Sequence, residues 1–303
     1  LQNYRPTKGL AGPSDWSYGM NATFLAEALD FWRTRYNWKE TVQSLNSIPQ
    51  YRTVILGLNI HFWHVRSDQD AAPAMMMIHG WPGSVVEFQH VVKLLGNRAH
   101  LVVPSLPGFG WSDPASVPGL DPIEVANIMR LLMRRLGYKQ YFLQGGDWGA
   151  ITSIAMSHLA PAGEIRGMHL NLFPVIGLRS VLGSFRLLFD TAEEKGKLFP
   201  ILPFLAMLWE NTGYFHEQSS RPETIGALLS DSPGGLAAWI LEKFQGWTDC
   251  PLPCNPADVV PMEDLLTNVM VYWVTNSGGT SARIYKEALT GRCLAMLQQQ
   301  VKV

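Results

Sequence analysis

Gln144-Gly145-Gly146-Asp147-Trp148-Gly149-Ala150 lies between an apolar, strand-like run, Tyr141-Phe142-Leu143, and a helix-like run over residues 151–159. A polar residue set among small ones, at a strand-to-helix turn, is the pattern of a nucleophile elbow. The flanking glycines let the backbone turn sharply and hold the side chain up into a cleft. Such elbows usually carry Ser. Here the position holds Asp147, so the chemistry expected is attack by a carboxylate on carbon. All eight histidines lie at or before His216, so the last third of the chain offers no late histidine for such a site.

Outward from the elbow, apolar strands alternate with helices. Met75-Met76-Met77-Ile78 reads as a buried strand and residues 85–95 as a helix. Leu101-Val102-Val103 is a short strand. Asp121-Pro122 is an N-cap and N1 pair for a helix running to residue 136, with Ile128, Leu131, Leu132 and Leu136 on one face. A further strand is expected over residues 165–172. This alternation predicts an α/β fold with a parallel sheet covered on both faces. On the N-terminal side, residues 1–51 read as a helical meander, in which Asn21 caps a helix through Trp32 and a short helix opens at Trp38. Residues 52–65 read as a hairpin turning at Gly57-Leu58-Asn59. The core is assigned to 52–174. Residues 175–278 read as a helical cap over the site, with Ser232-Pro233 opening one helix, and 279–303 as the start of a returning core segment with a divergent tail.

Composition narrows the function classes. With 303 residues, 47% hydrophobic and 16% charged, the chain can bury a large core and is not disordered. A net charge of −1 without a long basic run excludes nucleic acid as an expected partner. Its 11 tryptophans suit an aromatic-lined pocket or a plain large core. Cys250, Cys254 and Cys293 do not read as a disulfide framework. Cys250-Pro251-Leu252-Pro253-Cys254 lacks a second ligand pair, so no metal is expected. The longest apolar stretch, 198–209, is short and holds Pro200 and Pro203, so no membrane span is expected. The sequence starts at Leu1 without Met, which leaves a preceding anchor open.

His79-Gly80-Trp81-Pro82-Gly83-Ser84, Pro104-Ser105-Leu106-Pro107-Gly108-Phe109-Gly110 and Gly145-Gly146-Asp147-Trp148-Gly149 together resemble the microsomal epoxide hydrolase family, which includes the juvenile hormone epoxide hydrolases of insects. The likeness continues through Asp231-Ser232-Pro233, Leu236-Ala237-Ala238-Trp239-Ile240-Leu241-Glu242-Lys243-Phe244 and Asp264-Leu265-Leu266-Thr267-Asn268-Val269-Met270, and fades after Glu287. It implies an α/β-hydrolase fold with an N-terminal meander and a helical cap. It implies that Asp147 is the nucleophile that opens an epoxide as an alkyl ester. Tyr214 and Tyr285 match the two tyrosines that donate a proton to the leaving oxygen. The backbone N–H groups of Trp81 and Trp148 match the oxyanion hole. No cofactor is implied. The implied partner is a lipophilic small-molecule epoxide, and the implied location is the microsomal endoplasmic-reticulum membrane, with a role in detoxification.

The departure is at the C-terminus. The family continues with two strands, a carboxylate and a histidine that activate water, and this chain ends at Val303 with none of them. The sequence therefore predicts a fragment-like sheet lacking its last strands and impaired ester hydrolysis. Of the histidines present, His79 reads as a brace of its own turn, and His158 and His169 as structural. His216 is the least implausible substitute base. Two rival readings remain: a haloalkane dehalogenase-like hydrolase, also served by Asp followed by Trp, and a non-catalytic truncated binder of lipophilic ligands.

Overall fold

The computed structural model describes residues 1, 4–7, 16–69, 71–172, 206, 209–250 and 254–299. Residues 175–205, the first part of the expected cap, lie outside that set. Asn21 caps α1 (Ala22–Thr34), its side chain accepting from the N–H groups of Thr23 and Phe24. Such a cap satisfies donors that the first helical turn leaves free. Phe24, Leu25, Ala28 and Trp32 form its buried face. Asn37 caps α2 (Trp38–Asn46) in the same way.

The hairpin pairs β1 (Gln50–Ile55) with β2 (Leu58–Val65). Its turn is tighter than expected and sits one residue earlier, because Ile55 pairs with Leu58. Leu56 and Gly57 both take positive φ, 48° and 84°. Two positive-φ residues match the right-handed twist of the strands, and glycine makes the second of them easy. The remaining strands are β3 (Ala74–Ile78), β4 (His100–Pro104), β5 (Tyr141–Gly145) and β6 (Ile165–Leu170). They complete a six-stranded sheet of order β1-β2-β4-β3-β5-β6. The sequence predicts the parallel part, and β4-β3-β5-β6 is parallel. The hairpin extends that sheet because β2 pairs antiparallel with β4, so the whole sheet is mixed. Among the described residues β6 pairs only with β5. Met76 and Ile78 on β3 and Leu101 to Val103 on β4 are fully buried. Each such side chain contributes roughly 1.5–3 kcal/mol by leaving water.

α3 (Gln89–Leu95) follows a 3-10 turn at Val85–Phe88. α4 (Pro122–Arg135) is capped by Asp121. α4 packs on α5 (Trp148–Leu159), which lies against β3 and β5. An ion pair ties α4 to the base of the elbow strand. Arg130 donates to both Glu164 oxygens, at 2.8 and 2.9 Å, and the Tyr141 hydroxyl donates to Oε1 at 2.9 Å. Burial pushes the Glu164 carboxyl up, but the bonds from Arg130 and Tyr141 more than offset this and hold it below its ordinary 4.5. The folded value is the lower one. The stabilisation is therefore complete above about pH 4.5 and fades as pH falls through the folded value. Glu164→Ala leaves Arg130 uncompensated with its side chain only 11% exposed. The expected loss is about 3–5 kcal/mol, read from urea unfolding at pH 7. It should shrink as the titration moves below pH 4.

The helices beyond residue 205 include α6 (Gly213–Ser220), α7 (Pro222–Asp231), α8 (Pro233–Trp247), α9 (Met262–Thr275), α10 (Ser277–Ala288) and α11 (Gly291–Leu297). Ser232 caps α8 through the Gly235 N–H. α10 packs on α6, α7, α9 and α4, and α1 packs on α8 and α9. α10 runs across residue 278, where the sequence reading divides cap from returning segment. α11 rests on α5. One sequence reading is corrected. Cys250 and Cys254, taken as no part of a disulfide framework, are joined by a disulfide with Cα atoms 5.4 Å apart. Two thiols this close bond without backbone rearrangement. Cys293 is a buried free thiol. Among the described residues no helix is long and apolar enough to cross a membrane.

Candidate active site

Open α/β sheets bind ligands beyond the carboxyl ends of their strands, and the elbow stands at that end of β5, beside the end of β3. Asp147 has φ 51° and ψ −124°. That conformation costs a non-glycine residue of order 1–3 kcal/mol and persists only where its surroundings enforce it. The enforcement is close packing. A Cβ on Gly149 would collide with the Ile78 carbonyl oxygen of β3, and a Cβ on Gly80 with the Asp147 side chain itself. The loop after β3 and the elbow are therefore pressed together.

That contact sets the carboxylate. The Trp81 N–H donates to Asp147 Oδ1 at 2.8 Å. Burial pushes Asp147 up from 3.8 to about 6, against the hydrogen bonds from the Trp148 and Trp81 N–H groups, which lower it. Desolvation of the charged form is the larger effect. The loop is held from behind by α9. Asn268 donates to the Pro82 carbonyl at 2.7 Å and accepts from Ser84 Oγ at 2.8 Å, and the Tyr272 hydroxyl donates to the Gly83 carbonyl at 2.6 Å. His79 braces the same turn. Its Nε2 accepts from the Leu106 N–H at 3.0 Å, which leaves Nδ1 to donate to the Gly80 carbonyl at 3.1 Å. Burial lowers its pKa to about 4, so it stays neutral.

Tyr214 on α6 and Tyr285 on α10 roof the elbow. Tyr214 stacks on Trp81, with ring centroids 5.1 Å apart and planes 8° from parallel. Tyr285 stands edge-on to Trp148 at 4.8 Å and to Tyr214 at 5.9 Å. The Tyr285 hydroxyl is buried and makes no hydrogen bond of good geometry, with the Trp148 indole N–H and the Tyr214 hydroxyl beside it. Such a group costs about 1–3 kcal/mol of desolvation and calls for an explanation. Burial and then the Asp147 charge push Tyr214 up to about 12. The same two causes push Tyr285 well above 10, against the Trp148 side chain, which lowers it. Both phenols are therefore protonated at neutral pH.

Asp147 borders two cavities. One, of about 250 Å³, is lined by Trp148, Tyr214, Phe215, Tyr285, Cys293 and Leu297 among others. The other, of about 850 Å³, opens past Gly80, Trp81, Glu87, His169, Lys243 and Trp247. The structure thus brings Asp147, Trp81, Trp148, Tyr214 and Tyr285 to one place, although up to 204 positions separate them in the sequence (Trp81 to Tyr285). Lys243, Trp247, Phe215 and Glu87 went unread as site residues. Trp247 stacks edge-on against Tyr214 at 5.0 Å, and Lys243 Nζ lies 4.8 Å from the Tyr214 ring centroid. Their signal was the spacing 243, 244, 247 on one helix face, which sequence alone reads as packing. His216 is exposed and borders neither cavity. His169 borders the larger one and hydrogen-bonds Gln144 through Nδ1. Among the described residues no cluster of three metal-ligating side chains occurs.

The family described as "Epoxide hydrolase N terminus" matches residues 1–88, and the one described as "alpha/beta hydrolase fold" matches residues 73–300. Juvenile hormone epoxide hydrolase 1 of Ctenocephalides felis is 40% identical over 321 residues, covering 100% of this chain and 68% of that protein. Epoxide hydrolase 1 of Oryctolagus cuniculus is 37% identical over 316 residues, covering 96% and 69%. The crystal structure of juvenile hormone epoxide hydrolase from Bombyx mori superposes with a TM-score of 0.90 at 37% identity, covering 97% of this chain and 74% of that one. The chain spans 62–68% of the length of the first three curated relatives. With an elbow aspartate under two tyrosines, and with these relatives, the chain belongs to the epoxide hydrolase family of the alpha/beta hydrolase fold.

Proposed function

We propose that this protein opens lipophilic epoxides by attack of the Asp147 carboxylate on an epoxide carbon, forming an alkyl ester that water then hydrolyses to a vicinal diol. The observation that carries this reading is the buried Tyr285 hydroxyl, without a hydrogen bond of good geometry, above a carboxylate already hydrogen-bonded by Trp81. An epoxide oxygen at that point supplies the bond that Tyr285 lacks. An alkoxide is a poor leaving group at neutral pH, and Tyr214 and Tyr285 remain protonated and able to donate to it. The aromatic lining suits an apolar substrate, with substituents on the two epoxide carbons entering the two cavities. When water attacks the ester, the charge moves to the carbonyl oxygen, and the Trp81 and Trp148 N–H groups stabilise it. The reading includes contact with the microsomal endoplasmic-reticulum membrane, supported by family resemblance.

Rapid-quench intact mass spectrometry with a lipophilic epoxide tests this. The expected result is an adduct of substrate mass on the peptide carrying Asp147. Attack needs the ionised carboxylate, whose pKa is pushed up to about 6. Adduct formation should therefore rise about tenfold per pH unit below pH 6 and level off above it. A rate independent of pH from 5 to 8, or an adduct elsewhere, removes the assignment. The buried Trp148 indole N–H, also without a hydrogen bond of good geometry, favours a second reading in which the leaving group is halide. Chloride release from a chloroalkane without diol from epoxides would establish it.

A further inference from the structure

A cation stands over the face of one of the two tyrosines. Lys243 Nζ of α8 lies 4.8 Å from the ring centroid of Tyr214 and 5.7 Å from that of Trp247, one turn further along α8. Its side chain is only 12% exposed, and its ion-pair partner is Glu242, the preceding residue, at 2.5 Å. Among the described residues lining the larger cavity, Lys243 is the one lysine or arginine. The acids there are Asp147 and Glu87, whose Oε2 lies where a Cβ on Gly83 would stand, and His169 is the other titratable group. Taking an ammonium out of water is costly unless other charges or dipoles replace the water, and an aromatic face supplies part of that replacement. Glu242 and the two rings explain how Lys243 is tolerated. They do not explain why its charge stands over this ring. Tyr214 is the ring tied to the reacting carboxylate. It stacks on Trp81 with centroids 5.1 Å apart, and the Trp81 N–H donates to Asp147 Oδ1 at 2.8 Å. After burial, the Asp147 charge is the larger influence that raises the Tyr214 pKa, and the Tyr285 hydroxyl beside it lowers it.

We infer that Lys243 is a positioning residue for epoxide opening: its charge over the Tyr214 ring makes Tyr214, rather than Tyr285, the phenol that gives up its proton. The inference deepens the proposed reaction and rests on Asp147 being the nucleophile. Opening moves one negative charge. At the start the charge lies on Asp147. As a carboxylate oxygen bonds to the epoxide carbon, the epoxide C–O bond breaks and its electron pair stays on oxygen. The Tyr214 proton passes to that oxygen, and Tyr214 is left as tyrosinate beside a neutral ester. Hydrolysis by one water then releases the diol and Asp147 as the acid, whose proton restores the phenol. The charge thus travels from the carboxylate towards Lys243. A tyrosinate spreads its charge over the ring, so a cation near the ring face attracts it more strongly than it attracts the neutral phenol. Only an interaction that strengthens towards the transition state accelerates the step, and this one does. Among the described residues no cation stands over the Tyr285 ring. That ring meets Trp81, Trp148, Tyr214 and Phe215 instead.

Lys243→Met is the direct test, because methionine keeps an unbranched stem against the rings and removes the charge. In rapid-quench mass spectrometry with a lipophilic epoxide, the variant should form the Asp147 adduct about 10–10²-fold more slowly than the wild type. Lys243→Arg should recover most of that loss, and thermal melts establish that both variants fold. The double variant Lys243→Met, Glu242→Gln, which strands no carboxylate, should stay slow. Alkylation by an alkyl halide, whose leaving group takes no proton, should be unchanged. In a Tyr214→Phe background Lys243→Met should add no further loss, whereas in Tyr285→Phe it should cost its full factor. Adduct formation by Lys243→Met at the wild-type rate overturns the inference. So does a folded arginine variant as slow as the methionine one, or recovery of the rate in the double variant. An equal loss with the halide makes Lys243 a packing residue, and an undiminished loss in Tyr214→Phe means that its charge acts elsewhere; each overturns the inference as well. Absence of any adduct in the wild type removes the Asp147 reading itself, and Lys243 falls with it, a result distinct from an adduct that forms normally without Lys243.

Discussion

Asp147→Asn is expected to abolish adduct formation while making the protein more stable. The amide is a far weaker nucleophile, and removing the group that forms the covalent bond typically costs on the order of 10⁴-fold or more. The stability effect has the opposite sign and follows from the raised pKa. Asp147 ionises at about 6 in the folded protein against an ordinary 3.8. Above pH 6 the folded state holds a desolvated charge that the unfolded chain carries in water. The full penalty, about 1–3 kcal/mol, applies there and vanishes as pH falls below 3.8. Asparagine retains an oxygen for the Trp81 N–H and carries no charge. Its melting temperature should exceed that of the wild type by a few degrees at pH 7 and match it near pH 4. A variant that neither reacts nor gains stability at pH 7 would mean that the carboxylate is not desolvated as described.

Replacing both tyrosines with phenylalanine should slow epoxide opening by about 10²–10⁴-fold, the range of general acid catalysis. Tyr214→Phe or Tyr285→Phe alone should cost less, because the remaining phenol still donates. Stability separates this role from packing. The Tyr285 hydroxyl is buried without a hydrogen bond of good geometry, so deleting it removes an unmet desolvation cost and should leave the protein as stable or about 1 kcal/mol more so. The ring contacts with Trp81, Trp148 and Phe215 survive in phenylalanine. Alkylation of Asp147 by an alkyl halide, whose leaving group takes no proton, should be unaffected in the same variant. Equal losses with epoxide and halide would assign the tyrosines to binding or folding.

The elbow was legible because its determinants are local. A strand former run, small residues and an abrupt change to helical spacing identify β5, the turn and α5 without reference to any other part of the chain. The caps at Asn21, Asp121 and Ser232 were legible for the same reason, since each acts within three residues of itself. The start of α5 was set late, at residue 151, because sequence shows where apolar spacing begins and not where backbone hydrogen bonding does. The mixed sheet escaped notice because β2–β4 pairing joins segments about 40 positions apart, and periodicity carries no partner information. The Cys250–Cys254 bond escaped because a count of cysteines says nothing of the distance between two of them.

By itself, then, the sequence determined the α/β alternation, the elbow with its aspartate, and the loop that faces it. Each is written in spacing and residue type within a few positions. Only the tertiary structure decided what surrounds that aspartate. It brought Trp81, Tyr214, Lys243, Trp247 and Tyr285 to one cavity, and pressed Gly80 and Gly83 against two carboxyl groups. Through the resulting loss of water it moved Asp147 away from its ordinary titration range. Desolvation and charge–charge coupling depend on distances through space, and a linear sequence does not contain those distances until the chain has folded.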